Sequence, residues 1–206
     1  FRLSTDTAAE DSTGAASDGE VEDYVFTVNL PSGQPVSIDG LQKIASGTQN
    51  GPTLLDGDRF GTSLTSRGDM DGDGITDLAI GAPRDNTGGD RRGAVYLLNA
   101  DGGANNAPTK ISSETPNGPD LADGDEFGTS VASLGDLDGD GVNDLAVGAP
   151  EDGTGGFSRG AVHLLLLDAD GSVKGATKIA SGTPDGPELS NYDQFGASVA
   201  SLGDLD

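Results

Sequence analysis

The 206-residue chain contains no cysteine, which excludes a disulfide framework and any thiolate metal site. It has no tryptophan and a single histidine, His163. With one imidazole and no thiol, Ser-His-Asp and Cys-His machinery has little material, and zinc lacks its usual nitrogen and sulfur donors. Positive charge is scarce: 11 Lys and Arg stand against 35 Asp and Glu, for a net charge of −24. That acidity disfavours nucleic acid and anionic membrane as partners. It suits cations, basic partners or a salty medium. No apolar run approaches the ~20 residues of a membrane span, and no signal peptide is visible. The chain opens at Phe1 without a methionine and stops within a motif at Asp206, as expected of a piece of something longer.

What the chain has in quantity is glycine (34 residues) and a repeated acidic loop. Asp69-Met70-Asp71-Gly72-Asp73-Gly74-Ile75-Thr76-Asp77 recurs as Asp136-Leu137-Asp138-Gly139-Asp140-Gly141-Val142-Asn143-Asp144, and begins again as Asp204-Leu205-Asp206. Crowding four carboxylates into nine residues is costly unless a cation sits among them. Calcium is a hard ion that takes six to eight oxygens. Asp69, Asp71, Asp73 and Asp77 hold positions 1, 3, 5 and 9 of the first loop, and Ile75 at position 7 is placed to offer its backbone carbonyl. In the second loop the same roles fall to Asp136, Asp138, Asp140, Val142 and Asp144. Gly72 and Gly74 allow the backbone to turn tightly around an ion. An EF-hand carries glutamate at position 12 and continues as a helix. Here that position is Ile80 or Val147, followed by Gly-Ala-Pro, which forbids the helix. The expectation is therefore two complete Ca2+ loops between strands, with a structural role, and a third loop too short to bind.

The loop is one part of a longer repeat. Lys43-Ile44-Ala45-Ser46 aligns with Lys110-Ile111-Ser112-Ser113 and Lys178-Ile179-Ala180-Ser181. Phe60-Gly61-Thr62-Ser63 aligns with Phe127-Gly128-Thr129-Ser130 and Phe195-Gly196-Ala197-Ser198, and Gly81-Ala82-Pro83 with Gly148-Ala149-Pro150. The spacing is 67 residues, then 68, with the extra residue in the stretch 164–175. Glycine and proline punctuate the chain too often for helices, and β-branched residues fill the apolar runs. Each copy reads as four short strands; in the second they are 127–134, 144–148, 160–167 and 177–180. Leu145-Ala146-Val147-Gly148 is small or apolar on both faces, as in a sheet covered on both sides.

Phe60-Gly61, the aspartate loop and Gly81-Ala82-Pro83, repeated in that order, resemble the FG-GAP repeat of integrin α-subunit heads and many bacterial secreted proteins. The resemblance covers residues 43–206. It implies an all-β fold, a β-propeller of radial four-stranded blades with calcium loops joining the first two strands of each. Two full repeats (43–109 and 110–177) and the start of a third (178–206) make a partial propeller. Such an open array leaves faces for further blades or for self-association. Ahead of it, Gly19-Glu20-Val21-Glu22-Asp23-Tyr24 resembles the C-terminal signature of the GEVED domain, a β-sandwich module of large bacterial secreted proteins. Residues 1–30 are accordingly expected to be the tail of such a domain, with a strand at 24–28, and residues 31–42 a linker.

Four tempting signals carry little. Arg67-Gly68-Asp69 spells the tripeptide that integrins recognise on their ligands, but Asp69 is a predicted metal ligand and the second copy reads Leu134-Gly135-Asp136. His163 takes the place of Tyr96 and points to packing. Asp56, Asp58, Asp123 and Asp125 fall in turns, which explains them. Arg84, Arg91, Arg92 and Arg159 gather near the loop between the second and third strands, where surface ion pairs contribute little. The reading is a non-enzymatic, calcium-stabilised adhesion or binding module of a large secreted or cell-surface protein of bacterial type, with a protein or glycan partner. The alternative is an accessory repeat domain of a secreted hydrolase whose catalytic domain lies outside this stretch.

Overall fold

The computed structural model describes residues 43–48, 51–70, 72, 74–99 and 107–203, and the backbone of two short strands, β1 (Val28–Asn29) and β2 (Pro35–Val36), which pair antiparallel. The GEVED-like hexapeptide, most of the expected linker, and Asp71, Asp73, Asp204 and Asp206 lie outside the described residues.

The rest is all-β. The first blade is a four-stranded antiparallel sheet of β3 (Ser63–Gly68), β4 (Asp77–Ala82), β5 (Ala94–Leu98) and β6 (Thr109–Ile111), in that spatial order. The second consists of β7 (Ser130–Gly135), β8 (Asp144–Ala149), β9 (Ala161–Leu167) and β10 (Val173–Ala180), likewise in sequence order. The aspartate loops join the first two strands of each blade, as expected. The first strand of the second copy starts three residues later than expected, because Phe127 bridges to the preceding blade instead of its own sheet. The fourth starts four residues earlier, at Val173.

Side-chain alternation explains how the sheets stack. Ala79, Val95 and Leu97 face the second blade and join Phe127, Val131, Leu145, Val147 and Leu165 in one apolar cluster. The alternate residues Ile80, Ala82, Ala94, Tyr96 and Leu98 face the other way and pack with Phe60, Ile44 and Leu54. The central strands therefore have no solvent face: every residue of β5 and of β8 is buried.

The Phe-Gly and Gly-Ala-Pro motifs meet across the blade boundary. Phe127 forms a parallel bridge with Gly93, and its N–H donates to Arg92 O at 3.0 Å. Gly128 N–H donates to Gly148 O of its own blade at 3.0 Å, while its carbonyl faces back to the first blade and accepts from Ser63 Oγ at 2.8 Å. The arrangement repeats one blade on. Phe195 bridges Gly160, and Ser130 Oγ donates to Gly196 O at 2.7 Å. A Cβ on Gly81 would stand 1.9 Å from Gly128 O, and one on Gly148 would stand 1.9 Å from Gly196 O. The motif glycines thus let a neighbouring backbone approach where no side chain fits.

Beneath each clasp lies a buried polar group that the sequence reading assigned to turns alone. Asp58 Oδ2 does accept Leu55 N–H at 2.7 Å, and Asp125 Oδ2 accepts Ala122 N–H at 2.8 Å, as turn residues do. Both aspartates are also buried, beside Asp85 and Asp152 respectively. In the first blade Tyr96 Oη donates to Asp85 at 2.7 Å and Lys110 pairs with it at 2.7 Å. In the second, Lys178 pairs with Asp152 at 2.7 Å, but His163 replaces the tyrosine, and its Nε2 has no partner among the described residues. Its ring stands edge-on to Phe127 at 5.4 Å, as Tyr96 does to Phe60 at 5.5 Å. His163 is therefore a packing residue, as expected.

These differences carry pH dependence. Burial, with the neighbouring Lys178, pushes the His163 imidazole down to about 4. Burial, reinforced by Asp152, pushes the Asp125 carboxyl up to about 6. The signs are opposite. Stability from neutral His163 is present above its ordinary pKa near 6.5 and is lost as pH falls toward 4. Stability from protonated Asp125 is present in acid and lost as pH rises through about 6.

Two measurements check the packing and the polar core. Gly148→Ala is expected to cost about 2 kcal/mol or more in urea denaturation. Gly175→Ala, where an added Cβ meets nothing within 4 Å, should stay within about 0.5 kcal/mol of wild type. His163→Tyr restores the residue of the first blade. Its stability relative to wild type should be about 2 kcal/mol better at pH 5 than at pH 7.5, because the unfolded histidine no longer takes up a proton. An equal difference at both pH values would show that the imidazole is not held neutral.

Candidate metal centre

The described residues of the two aspartate loops make matching hydrogen bonds. Position 1 organises the backbone: Asp69 accepts Gly72 and Gly74 N–H, each at 2.8 Å. Asp136 accepts Gly139 and Gly141 N–H, each at 2.7 Å, and Asp140 N–H at 3.0 Å. The donor from Gly141, then that from Gly139, holds the Asp136 carboxyl below the usual carboxylate range. Position 9 closes the loop. Asp77 Oδ2 accepts Met70 N–H and Asp144 Oδ2 accepts Leu137 N–H, both at 2.8 Å. Asp144 is fully buried, and its other oxygen accepts Leu167 N–H at 3.0 Å, tying the loop to the third strand. The intervening glycines adopt the expected left-handed backbone, with φ of 79° and 86° at Gly72 and Gly74 and 82° and 90° at Gly139 and Gly141.

In the second loop this framework brings Asp136, Asp138 and Asp144 together, with one carboxylate oxygen of each within 4.8 Å of the others. Asp140 does not join them. One of its oxygens accepts Val142 N–H at 2.8 Å, and the other contacts the Lys174 ammonium, which also lies 2.7 Å from Asp138. Lys174 first, and then the Val142 amide, lowers the Asp140 carboxyl below its usual range. Val142 is buried in the inter-blade cluster, whereas its counterpart Ile75 is half exposed. In the first loop Asp69 and Asp77 occupy the same framework positions as Asp136 and Asp144. The donor set is all carboxylate oxygen, the chemistry of a hard cation. The Lys174 ammonium already sits against it as a positive stand-in, so the residues fit a calcium-like ion.

Two other groupings are better explained by internal pairing. A cleft of about 440 Å³ opens between the segment 51–58 and β5–β6, lined by Pro52, Thr53, Asp58, Asp85, Tyr96 and Lys110. Its Asp85 carboxylate is already held by Tyr96 and Lys110. The arginines contact acids of the following repeat: Arg92 pairs with Asp123 at 2.7 Å, and Arg84 and Arg91 approach Glu126 at 3.3 and 3.6 Å. Arg67 is buried in β3, so Arg67-Gly68-Asp69 is not displayed as an exposed recognition tripeptide. Sequence reasoning missed Lys174, which lies 30 residues beyond the loop it touches; a lysine absent from the other copy was the available signal.

Among the described residues no helix is long and apolar enough to cross a membrane. Residues 60–98 and 127–165 each match the FG-GAP repeat. Over 201 residues, 94% of the chain, it is 30% identical to integrin alpha-5 of Xenopus laevis, covering 18% of that protein. Over 152 residues, 73% of the chain, it is 32% identical to integrin alpha-4 of Xenopus laevis, covering 13% of that protein. Over 118 residues, 53% of the chain, it is 42% identical to integrin alpha-PS2 of Drosophila melanogaster, covering 8% of that protein. The chain thus carries two FG-GAP repeats built as four-stranded blades and is similar to integrin α subunits, spanning less than a fifth of the length of these curated relatives.

Proposed function

We propose that the chain is a calcium-stabilised, non-enzymatic adhesion or binding module of a secreted or cell-surface protein. The observation that carries the calcium reading is the gathering of Asp136, Asp138 and Asp144 oxygens within 4.8 Å, on a loop whose anchoring hydrogen bonds recur at Asp69 and Asp77. Asp136, Asp138, Asp140, Asp144 and the Val142 carbonyl would hold the ion in the second blade. Asp69, Asp71, Asp73, Asp77 and the Ile75 carbonyl would hold one in the first. The ion would neutralise the clustered carboxylates and link the first two strands of each blade, so its binding free energy would add to folding. Affinities of roughly 10⁻⁴–10⁻³ M suit an extracellular module that need not sense a signal.

The adhesion reading is supported by similarity to integrin α subunits. The bacterial secreted setting is supported by the GEVED-like hexapeptide at 19–24. The partner would be a protein or a glycan. The acidity of the chain argues against nucleic acid in that role.

Millimolar calcium should raise the melting temperature of the full chain over a chelator-treated sample, and calorimetry should count two ions. At about 1 mM calcium and a Kd of about 10⁻⁴ M a single site contributes about 1.4 kcal/mol. Asp138→Asn should remove one of the two ions and about half of the shift. Identical melting with calcium and with chelator would refute a structural ion. Failure of the calcium-loaded chain to retain any extracellular-matrix protein or glycan on a surface would refute the adhesion half.

A further inference from the structure

Lys174 is the residue by which the two loops differ most. Its place in β10 is irregular: Val173 opposes Leu167 and Gly175 opposes Leu166, so Lys174 is the additional residue of a β-bulge. A bulge bends the strand and re-aims the side chain it carries. This one lies within the stretch where the second repeat is one residue longer than the first. The re-aimed ammonium reaches the loop between β7 and β8, touching Asp138 and Asp140 together. The three side chains are only 26%, 27% and 30% exposed, which sets the contact apart from a fully solvated surface pair.

The first repeat has no lysine at the aligned position. Lys178 aligns with Lys110, and four residues before each stand Lys174 and Asn106; residues 99–109 contain no lysine or arginine. Resting on the calcium reading above, we propose that Lys174 is a built-in counter-cation of the second loop: it holds Asp138 and Asp140 in the metal-free chain and is displaced when a divalent cation enters. The placement explains why Asp140 stands apart from the Asp136, Asp138 and Asp144 cluster. A divalent ion at that cluster would have to take both carboxylates from the ammonium and tolerate a positive charge a few ångströms away. The second loop therefore keeps its shape without metal and loads at higher calcium than the first.

Calcium titration of the ¹⁵N-labelled full chain separates the two sites, because Gly72 and Gly74 report on the first loop and Gly139 and Gly141 on the second. In wild type the second pair should shift at the higher calcium concentration. Lys174→Met and Lys174→Gln should each move the second midpoint down by about ten-fold and leave the first unchanged. In chelator both variants should melt below wild type, whereas Lys174→Arg should retain the wild-type pattern. A second-loop midpoint unchanged in both neutral variants, with calcium-dependent shifts present, overturns the counter-cation and leaves the calcium reading standing. Glycine amides that ignore calcium in every variant overturn both.

Discussion

The approach of one backbone to another at Gly81 and Gly148 is the constraint on which the rest of the structure depends. An ordinary side chain at either position would overlap the carbonyl of the next Phe-Gly unit. Because the space is free, Ser63 and Ser130 hydrogen-bond that carbonyl, and Phe127 and Phe195 bridge Gly93 and Gly160. The phenylalanine then fills the space against the third strand of its own blade. Blade stacking is set by the same motif that starts each blade. Closing the sheets in this way also buries the Asp85 and Asp152 carboxylates, which pair with the partly exposed Lys110 and Lys178. Removing one partner would leave a buried charge uncompensated, which is the costly case.

The loops depend on this framework in turn. Asp77 and Asp144 sit at the starts of strands that are buried on both faces, so their carboxylates are fixed before any ion arrives. Asp69 and Asp136 use their oxygens to order the loop amides. Asp136 and Asp144 are therefore structural anchors of the second loop, and Asp138 and Asp140 between them are the adaptable ones. This division of labour makes the loop a clip: it holds its shape from its ends, and what sits at its centre can change.

Much of this was legible in the chain itself. The 67-residue repeat, the punctuation by glycine and the β-branched runs led to four-stranded blades, and the strands fall where turn chemistry separates them. Asp136, Asp138 and Asp144 could be grouped from spacing because all three belong to one loop. What escaped was non-local. Phe127 reads as the start of a strand, and only the preceding blade shows why it leaves the ladder. Asp125 reads as a turn residue because its Ala122 contact is local, whereas its burial beside Asp152 depends on the folded sheet. Lys174 reads as part of the connection between the strands at 160–167 and 177–180, because a bulge leaves no mark in the hydrophobic pattern.

The two blades share a backbone plan and differ in a few polar side chains. Replacing Tyr96 by His163 removes the phenol donor to the buried aspartate of the second blade, while burial raises the neighbouring carboxyl in both blades, Asp58 in the first and Asp125 in the second. At the loop, the blade that gains Lys174 gains a positive charge against two of its aspartates. The buried Asp85 and Asp152 are met by the same aligned lysine in each blade, whereas Lys174 is particular to the second. A fold built by repetition tolerates this because the clasp carries the geometry. The choice of neutralising group is left free to set the pH and the cation concentration at which each blade is most stable.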